Sequence, residues 1–200
     1  IMIRITQQIL DGMVELVNIG VGRSAGSLNA LTGYHVTLTV PQITLCDIVR
    51  LKEELPQPDQ PFVIIHQDYS GQFEGTALLM FPLESAEGLF HLMTGEQKKT
   101  PENEELWQMT FTEIANIIVN AVMGSITNVL ETKVKFHIPE YHEDSLVHIL
   151  TDSRFVNEER IAVVHTIFEV KEKDISGRIA VLFTARSIEA IGESIKDKMG

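Results

Sequence analysis

The feature that most constrains this 200-residue chain is that it repeats itself. In each half, a glutamate is followed three positions later by an asparagine, and 22 residues separate that asparagine from a proline. Each member of the pattern recurs 98 positions further on: Glu15 and Glu113, Asn18 and Asn116, Pro41 and Pro139. A chain with such a repeat is expected to build one structural unit twice.

Hydrophobic periodicity predicts the same elements in the same order in each half. Apolar and small residues three or four apart predict a long helix at the start of each half, and alternation with β-branched residues predicts strands. The predicted elements are helices at 4–31 and 102–131, strands at 35–40 and 134–138, paired strands at 61–69 with 74–82 and at 160–172 with 175–184, and closing helices at 83–94 and 186–198. We therefore expect an α/β (α+β) sandwich in which both halves share one largely antiparallel central sheet with pseudo-twofold symmetry.

The halves are expected to be repeats within a single domain, not independent domains. That domain covers residues 1–200, with repeat one at about 3–95 and repeat two at about 101–200. The candidate linker between them is the short polar stretch 95–100 (GEQKKT).

Charge and composition narrow the class of function. A formal net charge of −12 disfavours nucleic acid and anionic membrane surfaces, because both attract Lys and Arg. The single cysteine, Cys46, excludes an intramolecular disulfide, fits a reducing compartment and is interpreted as a small apolar residue. No segment is expected to reach the ~18 apolar residues of a membrane span, and the polar start of the chain does not resemble a signal peptide. A cytoplasmic protein without membrane insertion is the expectation.

The repeated glutamate and asparagine are the candidate functional residues. Three positions apart on a helix, Glu15 and Asn18 share one face, as do Glu113 and Asn116, and small residues border both pairs. A carboxylate beside a carboxamide with little bulk around it makes a shallow polar site that a protein partner can approach. Either pair alone is most simply interpreted as solvated surface, since Glu-x-x-Asn is common. The recurrence with the proline in register favours a function, although duplication could also retain a structural role.

The full pattern of the first half is Asp11-x3-Glu15-x2-Asn18-x22-Pro41, and this spacing resembles the consensus of the CheC, CheX and FliY family of phosphatases. The segment 18–22 (NIGVG) also resembles the stretch that follows the first CheC site. The resemblance covers nearly the whole chain and is closer to CheC than to single-site CheX; a FliN-like domain, as in full-length FliY, is not expected. It implies a CheC-like fold and hydrolysis of the aspartyl phosphate of a phosphorylated CheY-like response regulator.

The resemblance also implies roles for four residues. Asn18 and Asn116 would position the attacking water, as a glutamine does in GTPases. Glu15 and Glu113 would dock to a cation of the regulator, its active-site lysine. No cofactor or metal is expected on this chain, because the Mg²⁺ ion would belong to the regulator.

The second copy departs from the family pattern, and other functions stay open. Met109 stands where the family has Asp or Ser, at the position that matches Asp11, so the two sites are not expected to be equally active. Asp11 is interpreted as supporting the motif without being catalytic. The alternative function is a weakly active or inactive CheC-like binding module that sequesters the phosphorylated regulator or engages the receptor deamidase CheD. A structural component of the flagellar switch is a third possibility.

A separate polar segment, 137–144 (HIPEYHED), is a weak candidate for a metal site. Pro139 interrupts it, and its spacing matches no compact helical zinc motif, so it is interpreted as a polar exit from a strand into a loop. His66 and His165 lie in predicted strands and are interpreted as packing or surface residues. The potential ligands of the segment are His137, Glu140, His142 and Asp144.

Overall fold

A computed structural model describes the chain at residues 6–54, 60–151 and 161–199. The first half contains α1 (Gln7–Thr32), β1 (Thr37–Leu38), β2 (Gln42–Cys46), α2 (Ile48–Glu54), β3 (Phe62–Gly71), β4 (Gly75–Pro82) and α3 (Leu83–Thr94). The second half contains a 3-10 turn (Pro101–Asn103), α4 (Glu104–Leu130), β5 (Val134–Phe136), β6 (Glu140–Asp144), α5 (Leu146–Thr151), β7 (Ile161–Val170), a 3-10 turn (Lys171–Lys173), β8 (Ile175–Thr184) and α6 (Ala185–Met199). The same helices and strands thus follow one another in both halves.

The described strands form one antiparallel sheet in which the two halves are interleaved. Its order is β1-β7-β8-β4-β3-β5, with β2 also paired to β7 and β6 also paired to β3. Each half therefore adds its short strands to a long strand of the other half, and β4 and β8 meet at the centre, where Leu79 pairs with Ile179. The mixed helical and antiparallel architecture confirms the predicted fold class. Exchanging the halves gives the same order read backwards, which is compatible with the predicted duplication; the repeat boundaries stay a prediction.

Helices cover both faces of the sheet. On one face, α1, α3, α4 and α6 pack into the main core, at the centre of which Phe81, Trp107 and Phe111 are fully buried. On the other face, a smaller core joins the sheet to the short helices α2 and α5, and Cys46 lies buried in it, which confirms its interpretation as a small apolar residue. Because the central parts of β4, β7 and β8 are covered on both sides, the segments 77–81, 161–164 and 179–183 are continuously apolar.

The long helices α1 and α4 cross closely as an antiparallel pair. A Cβ atom added at Gly20 would lie 2.3 Å from the Cα of Val122, so the approach requires glycine. The Ser24 hydroxyl donates to the carbonyl of Gly20 at 2.9 Å and to that of Ile118, across the contact, at 3.4 Å. The close packing of the two helices thus depends on the small residue at Gly20, whereas Gly22 faces open space.

The second long helix, α4, is more apolar than expected from the sequence. The segment Pro101–Leu130 is long and apolar enough to cross a membrane by length and composition alone, so the expectation that no segment reaches that length is wrong. Half of its most apolar stretch is buried within the protein, where Trp107, Phe111 and Ile118 pack into the main core. The helix is apolar because it is covered by the sheet and by three other helices.

The long elements follow the prediction and the short ones do not. Both α3 and β8 have the predicted bounds, while the strand predicted at 35–40 shrinks to β1 and that at 134–138 ends at Phe136. The predicted starts at residues 4 and 160 lie outside the described residues. The elements β2, α2, β6 and α5 were interpreted as loop; in particular, the polar-exit interpretation of 137–144 is wrong, because Glu140–Asp144 forms a strand. These strands lie at the sheet margins, where half-exposed positions weaken the hydrophobic alternation that identifies a strand.

Candidate active site

The first candidate pair lies on the outward face of α1. The Glu15 side chain is exposed and Asn18, one turn further on, is half-buried. Glu15 borders a surface groove of about 610 Å³ that Asp11 also lines, and the ends of α4 and α6 form its far wall. Gln7 donates a hydrogen bond to the Asp11 carboxylate at 2.8 Å, which fixes that carboxylate one turn before Glu15.

The second candidate pair has the same placement on α4. Glu113 is exposed and Asn116 is half-buried, so each pair presents its carboxylate outermost. Glu113 borders a groove of about 560 Å³, which Met109, Pro139 and Tyr141 also line. Met109, which matches Asp11 in the repeat, lines this groove as Asp11 lines the first, but carries no charge. Sequence matching had paired the prolines too, but Pro41 is buried and lies outside the first groove.

The four predicted side chains are not used by the fold itself. Within residues 6–54, 60–151 and 161–199, no side chain forms a hydrogen bond or ion pair with Glu15, Asn18, Glu113 or Asn116. Asparagine competes for backbone hydrogen bonds and is a mediocre helix former, so neither asparagine is explained by helix stability. The described part of the chain therefore leaves the hydrogen-bonding capacity of these carboxylates and carboxamides unused by other side chains.

The two pairs are brought to one surface but not to one site. Because α1 and α4 are antiparallel and cross between the Gly20–Val122 and Ser24–Ile118 contacts, Asn18 and Asn116 lie on opposite sides of the crossing. Measured along the antiparallel helix axes, the two asparagines are eight residues apart, which corresponds to about 12 Å. The grooves beside the two glutamates are lined by different residues. The structure therefore places the two Glu–Asn pairs apart from each other, and their role as functional sites stays a prediction.

A hydrogen-bonded chain supports the second groove and was missed by sequence reasoning. The Trp107 indole N–H donates to the Tyr141 hydroxyl at 2.5 Å, and the Tyr141 hydroxyl donates to the Glu143 carboxylate. The Lys99 ammonium then bridges Glu143 at 2.5 Å and Glu104 at 3.1 Å. Only strand β6, with its alternating side chains, could have indicated that Tyr141 and Glu143 share a face.

The ionisation states of Tyr141, Glu143 and Lys99 follow from these contacts. Burial and the hydrogen bond to Glu143 raise the pKa of Tyr141, so its hydroxyl stays protonated and can donate. Burial also raises the pKa of Glu143, but the hydrogen bonds from Lys99 and Tyr141 outweigh burial and leave that pKa below its usual range. The same hydrogen bond to Glu143, against the opposing effect of burial, raises the pKa of Lys99. The chain thus holds a charged Lys99–Glu143 pair beside a neutral phenol.

Two other features lie on the opposite face of the sheet, away from the predicted residues. One is an apolar cavity of about 160 Å³ between the sheet and the helices α2 and α5. The other is a set of three side chains, His66, Glu140 and His142, whose potential metal-ligating atoms lie within 4.8 Å of one another. The segment 137–144 supplies two of these residues, while His137 contacts Ser70 and Asp144 contacts His148.

Comparison with known proteins connects this chain to chemotaxis phosphatases. The family model described as "Chemotaxis phosphatase CheX" matches residues 63–161. The matched stretch includes Glu113 and Asn116 but not Glu15 and Asn18. The flagellar motor switch phosphatase FliY of Bacillus subtilis (strain 168) is 27% identical over 131 residues, which are 64% of this chain and 34% of that protein. The chain thus spans about a third of the length of that relative.

Solved structures share the fold at low sequence identity. The crystal structure of Thermotoga maritima FliY has a TM-score of 0.74 and 18% identity, covering 98% of this chain and 100% of that one. The FliM middle domain from H. pylori has a TM-score of 0.67 and 12% identity, covering 94% and 99%. At these identities the likeness concerns the fold alone. Together with the matching family model and the FliY relative, it makes the chain similar to proteins of the CheC/CheX/FliY family.

Proposed function

We propose that the chain is a phosphatase that hydrolyses the aspartyl phosphate of a CheY-like response regulator. The observation that carries this proposal is the recurrence, on two matched helices, of an exposed glutamate and a half-buried asparagine whose side chains form no hydrogen bond or ion pair among the described residues. The description of the matched family and the name of the Bacillus relative both specify a phosphatase, which supports the reaction class.

The proposed reaction asks little of the enzyme. Water attacks the phosphorus atom, the bond from phosphorus to the aspartyl oxygen breaks, and the products are the regulator's carboxylate and inorganic phosphate. The carboxylate is a good leaving group and phosphoryl transfer has a loose transition state, so positioning the water matters more than removing its proton. A carboxamide can accept a hydrogen bond from that water and donate one to a phosphoryl oxygen. Asn18 and Asn116 take this role.

The glutamates hold the regulator in place. Glu15 and Glu113 are exposed beside their asparagines and free to form an ion pair with a cation of the partner, which we assign to the regulator's active-site lysine. In such a composite site the Mg²⁺ ion belongs to the regulator, and this chain contributes no cofactor. The proposed partner is a cytoplasmic signalling protein, so the proposal also places this chain in the cytoplasm.

The direct test is phosphate release from a phosphorylated CheY-like regulator in the presence of Mg²⁺. The double variant Asn18→Ala/Asn116→Ala is expected to lose about 100-fold in rate, or ~2.7 kcal/mol of transition-state stabilisation. Gln72→Ala, which removes an exposed carboxamide from the β3–β4 turn, is the matched control and should keep the wild-type rate. A double variant as fast as wild type would show that the asparagines do not position the water.

The single variants test whether the sites are equal. Asn18→Ala is expected to remove more than half of the phosphate release and Asn116→Ala less than half. The physical reason is that Asp11 adds a second carboxylate to the first groove and strengthens its attraction for a cationic partner, whereas Met109 adds none. Equal losses in the two single variants would contradict this assignment of unequal sites.

A second candidate function is binding without turnover, and the shared fold with the FliM middle domain favours it. In that case the chain would sequester the phosphorylated regulator, engage a CheD-type deamidase or take part in the flagellar switch. Stoichiometric capture of the phosphorylated regulator without released phosphate is the result expected for this function. Catalytic release of several phosphates per chain would exclude it.

A further inference from the structure

Two strands from different halves bring three metal-ligating side chains together. In the antiparallel pairing of β3 with β6, His66 lies opposite Glu140, and Ile64 lies opposite His142. Side chains alternate along a strand, so His66, Glu140 and His142 all project from one face. Tyr141, between the latter two, points the other way and bonds to Trp107. The three side chains therefore face away from α1 and α4, on the side of the sheet opposite the candidate active site.

Their ligand atoms are nearly close enough to share one ion. The Glu140 Oε2 atom lies 3.6 Å from His142 Nε2 and 4.0 Å from His66 Nδ1. A tetrahedral zinc ion with bonds of about 2.0 to 2.2 Å separates its ligands by about 3.4 Å. Small side-chain rotations, of about 1 Å at the ligand atoms, would bring the three donors to that spacing. Glu140 is 67% exposed, which allows its carboxylate to follow the two imidazoles.

One ligand atom is buried without a hydrogen-bond partner. Among the described residues, none forms a hydrogen bond with His142 Nε2, although this nitrogen is shielded from solvent. A buried polar atom left unpaired costs free energy, and such an atom in a native fold requires an explanation. Its lone pair would be satisfied by a metal ion between it and Glu140.

A second carboxylate holds the other histidine in the orientation that a metal requires. Asp68 Oδ1 lies 3.1 Å from His66 Nε2 and also accepts a hydrogen bond from Thr76 at 2.5 Å. With its Nε2–H donating to Asp68, the His66 ring presents the lone pair of Nδ1 towards Glu140. Metal-binding histidines commonly donate their other N–H to a carboxylate in this way, which fixes the tautomer and raises ligand basicity.

The matched place in the other half shows that the fold does not require these residues. There, Gln42 lies opposite His165 in the β2–β7 pairing, and Thr44 stands where His142 stands in β6. The Gln42 carboxamide contacts His165 Nε2 at 3.2 Å, and Ile167 takes the position of Asp68. The same strand geometry is thus built with one imidazole and no carboxylate.

We propose that His66, Glu140 and His142 form a binding site for a zinc ion, with Asp68 orienting His66. Two imidazoles and one carboxylate suit zinc better than Mg²⁺ or Ca²⁺, which prefer all-oxygen ligands. Three protein ligands leave a fourth position for water. The ion would fasten the marginal strand β6 of the second half to β3 of the first. This site is separate from the proposed phosphatase chemistry and does not depend on it.

Zinc titration of the intact chain tests the proposal. After removal of metal with a chelator and dialysis, isothermal titration calorimetry with Zn²⁺ is expected to give one ion per chain. Glu140→Gln and His142→Thr, which introduce the residues of the other half, should each weaken binding by at least about 10-fold, and Asp68→Asn by about 10-fold. At a hundredfold excess over Kd, zinc should raise the Tm of the wild-type chain by about 5 °C.

Two control variants separate this site from other histidines. His165→Ala removes the matched histidine of the first half, and His148→Ala removes an exposed histidine that pairs with Asp144; neither should change zinc binding. Because Glu140 is exposed, Glu140→Gln should fold normally even if His142→Thr does not, which circular dichroism will show. Absence of stoichiometric binding by the wild type, or undiminished binding by folded Glu140→Gln, would overturn the proposal.

Discussion

The first half of the chain is apolar or neutral at several places where the second half is aromatic or charged. On the helix side of the sheet, the matched positions are Ile9 and Trp107, Ile43 and Tyr141, and Leu45 and Glu143. Ile43, Leu45 and Tyr141 all pack against the main core, so one backbone accommodates both sets of side chains. The hydrophobic pattern common to the halves specifies the backbone, and residues at the margin of the core are left to differ.

The two halves differ most in how each long helix packs. In the second half, Trp107 contacts Phe90 and Phe111 at ring-centroid distances of 5.0 Å. In the first half, Ile9 packs closely against Gly192, where an added Cβ would lie 2.7 Å from the Ile9 Cδ1 atom. In the second half, two large side chains, Trp107 and Phe90, therefore pack together. In the first half, the smaller Ile9 packs against a glycine, Gly192. The larger residue carries more buried area and a hydrogen bond.

The largest effect expected from this difference is on stability. Trp107→Ala should lower the free energy of unfolding by about 4 kcal/mol, because it removes a fully buried side chain and leaves the Tyr141 hydroxyl without its donor. The matched Ile9→Ala should cost less, about 2 to 3 kcal/mol. Urea unfolding of both variants measures the difference. An equal or larger cost for Ile9→Ala would show that the two packing arrangements contribute alike.

A smaller effect is expected from transferring the proposed metal site to the first half. Gln42→Glu/Thr44→His should give His165 the two ligands that it lacks and raise the zinc stoichiometry from one to two per chain. The second site should bind about 10-fold more weakly, a difference of ~1.4 kcal/mol, because Ile167 cannot orient His165. Adding Ile167→Asp to this double variant should reverse the 10-fold loss in affinity at the second site. Calorimetric titration measures both the zinc stoichiometry and the affinity of the second site. The single variant Gln42→Glu is the control and should still bind one ion per chain.

The smallest effect concerns the charged pair of the second half. The pKa of Glu143 lies below its ordinary value of 4.5, so its contribution to stability is present above that pH and is lost as the pH falls through the lowered pKa. The raised pKa of Lys99 keeps its contribution until the pH rises above 10.5. Both side chains are partly exposed, and solvent screening limits the pair to less than about 1 kcal/mol.

Unfolding at two pH values tests this pair. Glu143→Gln should destabilise the chain slightly at pH 7 and by less at pH 3, because the contribution of the carboxylate is lost as the pH falls through its lowered pKa. Glu105→Gln removes another exposed carboxylate near the same groove and serves as the control. A cost of Glu143→Gln that is the same at both pH values would mean that the ion pair contributes nothing.

Much of the fold could be predicted from the sequence because its long elements carry strong periodic signals. The helices α1 and α4 and the four long strands bury whole faces or both faces, so their apolar patterns are clear. The short elements β2, β6, α2 and α5 have few buried positions, and their patterns are too short to be distinguished from loop. What makes Glu140–Asp144 a strand is its pairing with β3, a contact between residues about 75 positions apart in the chain.

The spacing of the sequence predicts which residues form the candidate active site but not which residues surround them. Spacing alone placed each glutamate on the same helical face as its asparagine. It could not show that Tyr141 and Pro139 form the wall of the second groove, or that Pro41 lies outside the first. These residues reach the grooves through strand pairing and loop geometry, which local periodicity does not encode.

The sequence by itself determined the repeat, the antiparallel α/β class and the two Glu–Asn pairs, because each of these depends on residues close together in the chain or on one fixed offset. Only the tertiary structure decided that the halves exchange their short strands, that Trp107 reaches Glu143 through Tyr141, and that His66 meets Glu140 and His142. Each of these contacts joins segments far apart in the chain, and their relative positions are set by the packing of the whole sheet against its helices.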